Sequence, residues 1–205
     1  IRRRRLPAEQ VVWLVIALAI YRRQSMPEVL ATLDLALSAA SAQAVSKSAV
    51  TQARQRLGAK PLAQLFDQTA RAWCQQDAEY HAWQGLSLWA MDGTTFRTPD
   101  STNNRAHFGA QAYASGKVAS YPQVRAVSIT AIPTHLVSDI AFGTYAQNEM
   151  LYAKTLVGRI ADHSLTVFDR GFLSAEILLG LTLGGQERHY LIPAKSNTKW
   201  EVLSG

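Results

Sequence analysis

Cysteine is almost absent from this chain of 205 residues: Cys74 stands alone, so no internal disulfide forms and no thiolate zinc cluster exists. The five histidines (His81, His107, His135, His163 and His189) are dispersed, which excludes a helical zinc pair. Long apolar runs are missing too. The longest, residues 11–20 (VVWLVIALAI), falls well short of the ~20 residues that cross a bilayer. Tyr21, Arg22 and Arg23 follow it where a signal peptide would place small residues, so it reads as a buried helix. There is no Gly-x-Ser-x-Gly nucleophile motif, and Gly109 and Gly116-Lys117 are too far apart for a phosphate-binding loop. With 48% hydrophobic and 18% charged residues, disorder and disulfide scaffolds are excluded, and a reducing, cytoplasmic setting without a membrane is expected.

Acid is scarce in one place only. Residues 1–60 hold Glu9, Glu28 and Asp34 against ten Lys and Arg, whereas the remainder is nearly neutral; the whole chain carries +6. A basic segment joined to a neutral one suggests a module for a polyanion attached to something else.

The first ~80 residues read as helices. Pro7 suits a first turn before the 11–21 run; Ser25 caps a second helix, with Pro27 and Glu28 in its first turn and Leu37 on its apolar side. Residues 38–45 form a connection. Ser46 or Ser48 caps a third helix stopped by Gly58, with an apolar stripe of Val50, Ala53 and Leu57 and an outer face of Lys47, Gln52, Arg54 and Arg56. A fourth helix runs from Pro61 to about Glu79. After Gly85 the texture turns to strands: 87–91 ending at Asp92, a loop to about residue 120, a hairpin of 124–132 and 135–142, a helix from Glu149, a strand 165–168 ending at Asp169, a helix 175–183 and a strand 189–193.

Two carboxylates stand out. Asp92 and Asp169 each close an apolar strand, and in open sheets with helical crossovers reactive groups gather beyond the carboxyl ends of neighbouring strands. Such a pair suits Mg²⁺ or Mn²⁺, hard ions that take oxygen ligands. Asp-Gly and Asp-Arg-Gly are also ordinary turn sequences, and spacing alone leaves both readings open.

DGTTFRTPD at 92–100, NRAHFG at 104–109, FDRGF at 168–172 and SKSAVTQARQRLG at 46–58 together resemble the DDE transposases of the bacterial insertion-sequence-four group. The resemblance implies an α+β or α/β chain: a helical DNA-binding domain (1–82), then a partial RNase H-like catalytic domain (83–205) with a mixed sheet flanked by helices. It implies that Asp92 and Asp169 are catalytic metal ligands for Mg²⁺ or Mn²⁺, that the partners are element ends and target DNA, and that the enzyme works as a homodimer at the bacterial nucleoid. The family's third acid lies in a Tyr-x2-Arg-x3-Glu-x6-Lys signature. None of the seven tyrosines here has Arg three positions on, so the signature is expected beyond residue 205 and the chain is expected to be inactive alone. Glu149 and Glu176 open helices and are expected to act there, not as ligands.

For DNA contact the candidates are Arg2, Arg3, Arg4 and Arg5 as a phosphate-binding arm, Lys47, Gln52, Arg54 and Arg56 on the third helix, and Arg97, Arg105 and Arg170 near the acids. A solvated helix face explains the same pattern. The alternatives to a transposase are a DNA-binding remnant that regulates transposition, and an RNase H-like nuclease without strand transfer.

Overall fold

The computed structural model describes residues 6–33, 46–76, 80–114, 116–199 and 201. The arginine arm at 2–5, Leu37, the connection at 38–45 and the end of the fourth helix toward Glu79 lie outside the described residues. The chain forms two compact units, one up to Phe66 and one from Asp67.

The first unit is helical. α1 (Ala8–Ile20) begins after Pro7 as its N-cap residue and buries Val11, Leu14 and Ala17. α2 (Met26–Thr32) starts at Ser25, whose backbone N–H donates to Glu28 Oε2 at 2.6 Å; the Ser25 side chain first, and then that bond, hold the Glu28 carboxyl below its ordinary pKa. α3 (Lys47–Leu57) is capped by Ser46, whose hydroxyl accepts from the Ala49 N–H at 3.2 Å, and stops at Gly58 with φ +67°. Val50 and Ala53 join the α1 residues, Leu6 and Val29 in one core. α4 (Lys60–Gln76) contains the boundary between the units; Ala70 and Cys74 of its later turns are buried, and Cys74 joins the core of the second.

The second unit is built on a five-stranded sheet in the order β3-β2-β1-β4-β5. β1 (Ser87–Arg97), β2 (Gln123–Ala131) and β3 (Val137–Thr144) form an antiparallel meander, and β4 (Ser164–Phe168) and β5 (Arg188–Leu191) add parallel to β1. The parallel strands require crossovers, and α6 (Glu149–Val157) and α7 (Ala175–Thr182) supply them. Trp89, Met91, Val127, Ile129 and Phe168 project from one face against Ala153, Leu156, Ile177 and Leu181 of these helices. This mixed α+β architecture is the one expected, and its sheet order and strand directions are RNase H-like.

Two expectations need correction. β1 does not end at Met91: its antiparallel pairing with β2 continues to Arg97↔Gln123, so Asp92, Arg97 and the residues between them are strand and not loop. The stretch up to residue 120 also contains a helix, α5 (Thr102–Phe108), between a Ser101 cap and Gly109 at φ +73°.

Candidate active site

The last pair in the parallel ladder between β1 and β4 is Met91↔Phe168. Asp92 and Asp169 are the next residues on those two strands, so they sit side by side where β4 turns away and β1 loses its parallel neighbour. Adjacent strands lie about 4.8 Å apart, which puts the two backbones within reach of one small ion. Side chains alternate along a strand. Met91 and Phe168 point into the core, so Asp92, and Asp169 in extended backbone (φ −77°, ψ 162°), project from the opposite face. Both are solvent-exposed.

Each carboxylate is steered by its own backbone. Asp92 Oδ1 accepts from the Gly93 N–H at 2.7 Å. Asp169 Oδ1 accepts from the Gly171 N–H and caps a 3₁₀ turn, Arg170–Phe172. Phe172, fully buried beside Phe168, anchors that turn in the core. The second carboxylate oxygen of each Asp makes no protein hydrogen bond among the described residues, so the pair has oxygen donors to offer a hard divalent ion. No group of three or more His, Cys, Asp or Glu gathers to hold a metal among the described residues.

On its other side Asp92 pairs with Ser128 of β2, which shares its face. No local pattern points to Ser128, because only the register with a strand more than thirty residues away brings it there. Glu149 lies on the wrong face for a third ligand: its carboxylate covers Gly93 on the α6 side, so close that a Cβ on Gly93 would lie 2.6 Å from its Cδ. Its place in the first turn of α6, after the Asn148 cap, is the helix-opening role expected of it. Glu176 opens α7 and pairs with Lys154 at 2.5 Å.

The arginines near the acids differ in their freedom. Arg97 stacks on the Tyr121 ring, 4.2 Å from its centroid. Arg105 is held by Asp100 at 2.5 and 2.9 Å and donates to the Ser120 carbonyl at 2.7 Å, so Nη1 is what remains for a phosphate. Arg170 is exposed and makes no ion pair among the described residues. On α3, Lys47, Gln52, Arg54 and Arg56 are all exposed.

Comparison with known proteins gives the family. Residues 83–203 match the family described as the transposase DDE domain, and residues 1–67 match the insertion element 4 transposase N-terminal family. The chain belongs to the IS4 family of DDE transposases. The chain is similar to the transposase InsG for insertion sequence element IS4 of Escherichia coli K12, with 37% identity over 203 residues, 99% of this chain and 45% of InsG. It is also similar to the InsZ protein of the same strain, with 36% identity over 207 residues, 99% of this chain and 67% of InsZ. The chain thus spans between about half and two thirds of the length of these IS4 relatives.

Proposed function

We propose that these residues are the DNA-binding and partial catalytic portion of an IS4-type enzyme that cuts phosphodiesters at the ends of its element and joins them to target DNA. The carrying observation is the register: Asp92 and Asp169, one step beyond the last parallel pair on adjacent strands, present free carboxylate oxygens on the same face. In this reading Asp92 and Asp169 hold Mg²⁺ or Mn²⁺, which when bound activates an attacking oxygen and stabilises a leaving one. The protein's share is to fix the spacing of the two acids, through the β1–β4 ladder, the Gly93 and Gly171 N–H groups and the Phe172 anchor. No side-chain nucleophile is required.

DNA is held, we infer, by residues 1–82, with residues 83–205 as the catalytic part. The polar arc of α3 supports this. At about 100° per residue, Lys47 and Arg54 border one side of the apolar Val50–Ala53–Leu57 stripe and Arg56 the other, with Gln52 and Gln55 outermost between them. Cations on both shoulders suit the two phosphate rails of a groove, and glutamine suits base edges. Arg2 to Arg5, Arg97, Arg105 Nη1 and Arg170 extend the phosphate contacts. Work as a homodimer on paired ends, at the nucleoid, belongs to the same reading.

Strand cleavage of DNA carrying the element's ends, assayed in Mg²⁺, tests the proposal. The 205-residue chain binds but cleaves little or not at all; the full-length protein cleaves, and Asp92→Ala or Asp169→Ala abolishes cleavage while binding persists. Full-length cleavage that survives Asp92→Ala would overturn it. That just two carboxylates converge among the described residues favours, as a second reading, a DNA-binding remnant that regulates transposition; a full-length protein that binds the ends and never cuts them is its signature.

A further inference from the structure

We propose that the second unit carries a separate anion site, an arginine-lined cavity at the far end of the sheet from the Asp92–Asp169 pair, which takes a phosphate group of a DNA backbone. The cavity measures about 470 Å³, and its walls include Arg71 of α4, Arg159 just past α6, Arg188 of β5, and Gln75, Ser138 and Asp139. The proposal rests on the DNA-binding reading above for the source of the phosphate, though not for the site.

Charge is the first argument. Three guanidiniums line the cavity against one carboxylate, that of Asp139. The other acids paired to them, Asp67 and Asp162, have side chains 62% and 46% exposed and stand outside the lining, where water screens them.

Unused donors are the second. Asp139 Oδ1, 3% exposed, accepts from Arg71 Nη2 at 2.9 Å and from Arg159 Nε at 2.7 Å. Arg188 gives Nε to Asp162 at 2.8 Å and Nη1 to the Gly158 carbonyl at 3.4 Å. A guanidinium has five N–H donors in a rigid fork that matches phosphate oxygens, so each of the three keeps several. The buried carboxylate orients two of these forks before any ligand arrives, which lowers the cost of ordering them on binding. The C-terminal end of α6 would repel an anion, but Arg188 faces its Gly158 carbonyl.

Position is the third. Trp89 lines the cavity and lies three residues before Asp92 on β1, about 10 Å at 3.3 Å per residue, and the cavity is walled by the core-face residues Trp89 and Ile129 and by residues 158–161 just past α6, while Asp92 projects from the other face. A phosphate held there grips DNA away from the reacting bond.

The test is an NMR titration of the 205-residue chain, following the backbone amides of residues 158–161, with inorganic phosphate, with a short random-sequence duplex, and with sodium chloride at matched ionic strength. Saturable shifts from both phosphate and duplex, absent with chloride, are expected. Shifts with the duplex alone also support the site and mean that it needs a continuous backbone. Shifts with phosphate alone keep the anion site and overturn DNA as its source. Silence at 158–161 while the duplex shifts residues 47–56 overturns this proposal and leaves the DNA-binding reading intact. As a second arm, Arg159→Gln lowers the slope of log affinity against log salt by about 0.9, the loss of one phosphate contact, and Arg159→Lys restores most of it. An unchanged slope in a folded Arg159→Gln protein overturns the proposal, and if that variant does not fold the titration decides.

Discussion

At the scale of single residues, the geometry of the candidate site is set by what sits behind the acids. Phe172 has no exposed surface, packs beside Phe168, and fixes the turn whose N–H meets Asp169. Phe172→Ala leaves a cavity there and lowers stability by about 3–5 kcal/mol, read as a fall in the urea midpoint at unchanged m-value. A drop below ~1 kcal/mol would mean that the turn is not anchored in the core. Asp162 offers a pH-dependent counterpart. Its carboxyl is held below the usual range, first by the Gln186 backbone N–H and then by the Arg188 guanidinium. A depressed folded-state pKa contributes stability that is fully present above the unfolded value of about 3.9 and is lost as pH falls through the folded one. The stability gap between the wild-type chain and Asp162→Asn therefore closes on acidification into that window and is flat at neutral pH. A gap that stays constant down to the acid limit counts against the pairing.

At the scale of elements, α3 is specified by its two ends, and each end gives a measurable loss. Ser46→Ala removes the acceptor for the Ala49 N–H and costs about 1 kcal/mol; Gly58→Ala forces a Cβ into φ +67° and costs about 1 kcal/mol as well. Thermal melts of the two variants should fall by similar amounts, and an unaffected Gly58→Ala would argue against the left-handed stop. Both ends were legible from sequence, because caps and glycine stops are local chemistry. So were the hairpin of β2 and β3, the adjacency of the strands bearing Asp92 and Asp169 and, α5 apart, the order of helices and strands. What was not legible is long-range. Residues 93–97 (GTTFR) look like a loop, and they become strand only because β2 pairs with them. Ser128 enters the site through that same register. Asp139 is buried beside Arg71 and Arg159 through its register with Ile129, which no local pattern announces.

At the scale of the molecule, charge and chemistry are allotted to different parts of the chain. The excess of positive charge lies in the first third, while the paired acids lie in the nearly neutral remainder. Under the proposed function, an enzyme that must find one site among many gains from this division, since a basic segment holds any duplex through counterion release and leaves the acids free of competing cationic partners. Affinity and sequence preference should therefore come apart under mutation. On α3, Lys47, Arg54 and Arg56 are exposed and make no ion pair among the described residues, so each is available to a phosphate. Replacing any one with Ala should weaken binding to all duplexes alike and reduce the salt slope by about 1. Gln52→Ala should leave the slope unchanged and narrow the difference in affinity between the element's ends and a random duplex, by about 1–3 kcal/mol if it reads a base in a bidentate pair. Fluorescence anisotropy at several salt concentrations measures both quantities in one experiment. If Gln52→Ala lowers the slope, or if the cation variants alter preference instead, α3 does not lie in a groove with its glutamines inward, and recognition of the ends must come from another surface.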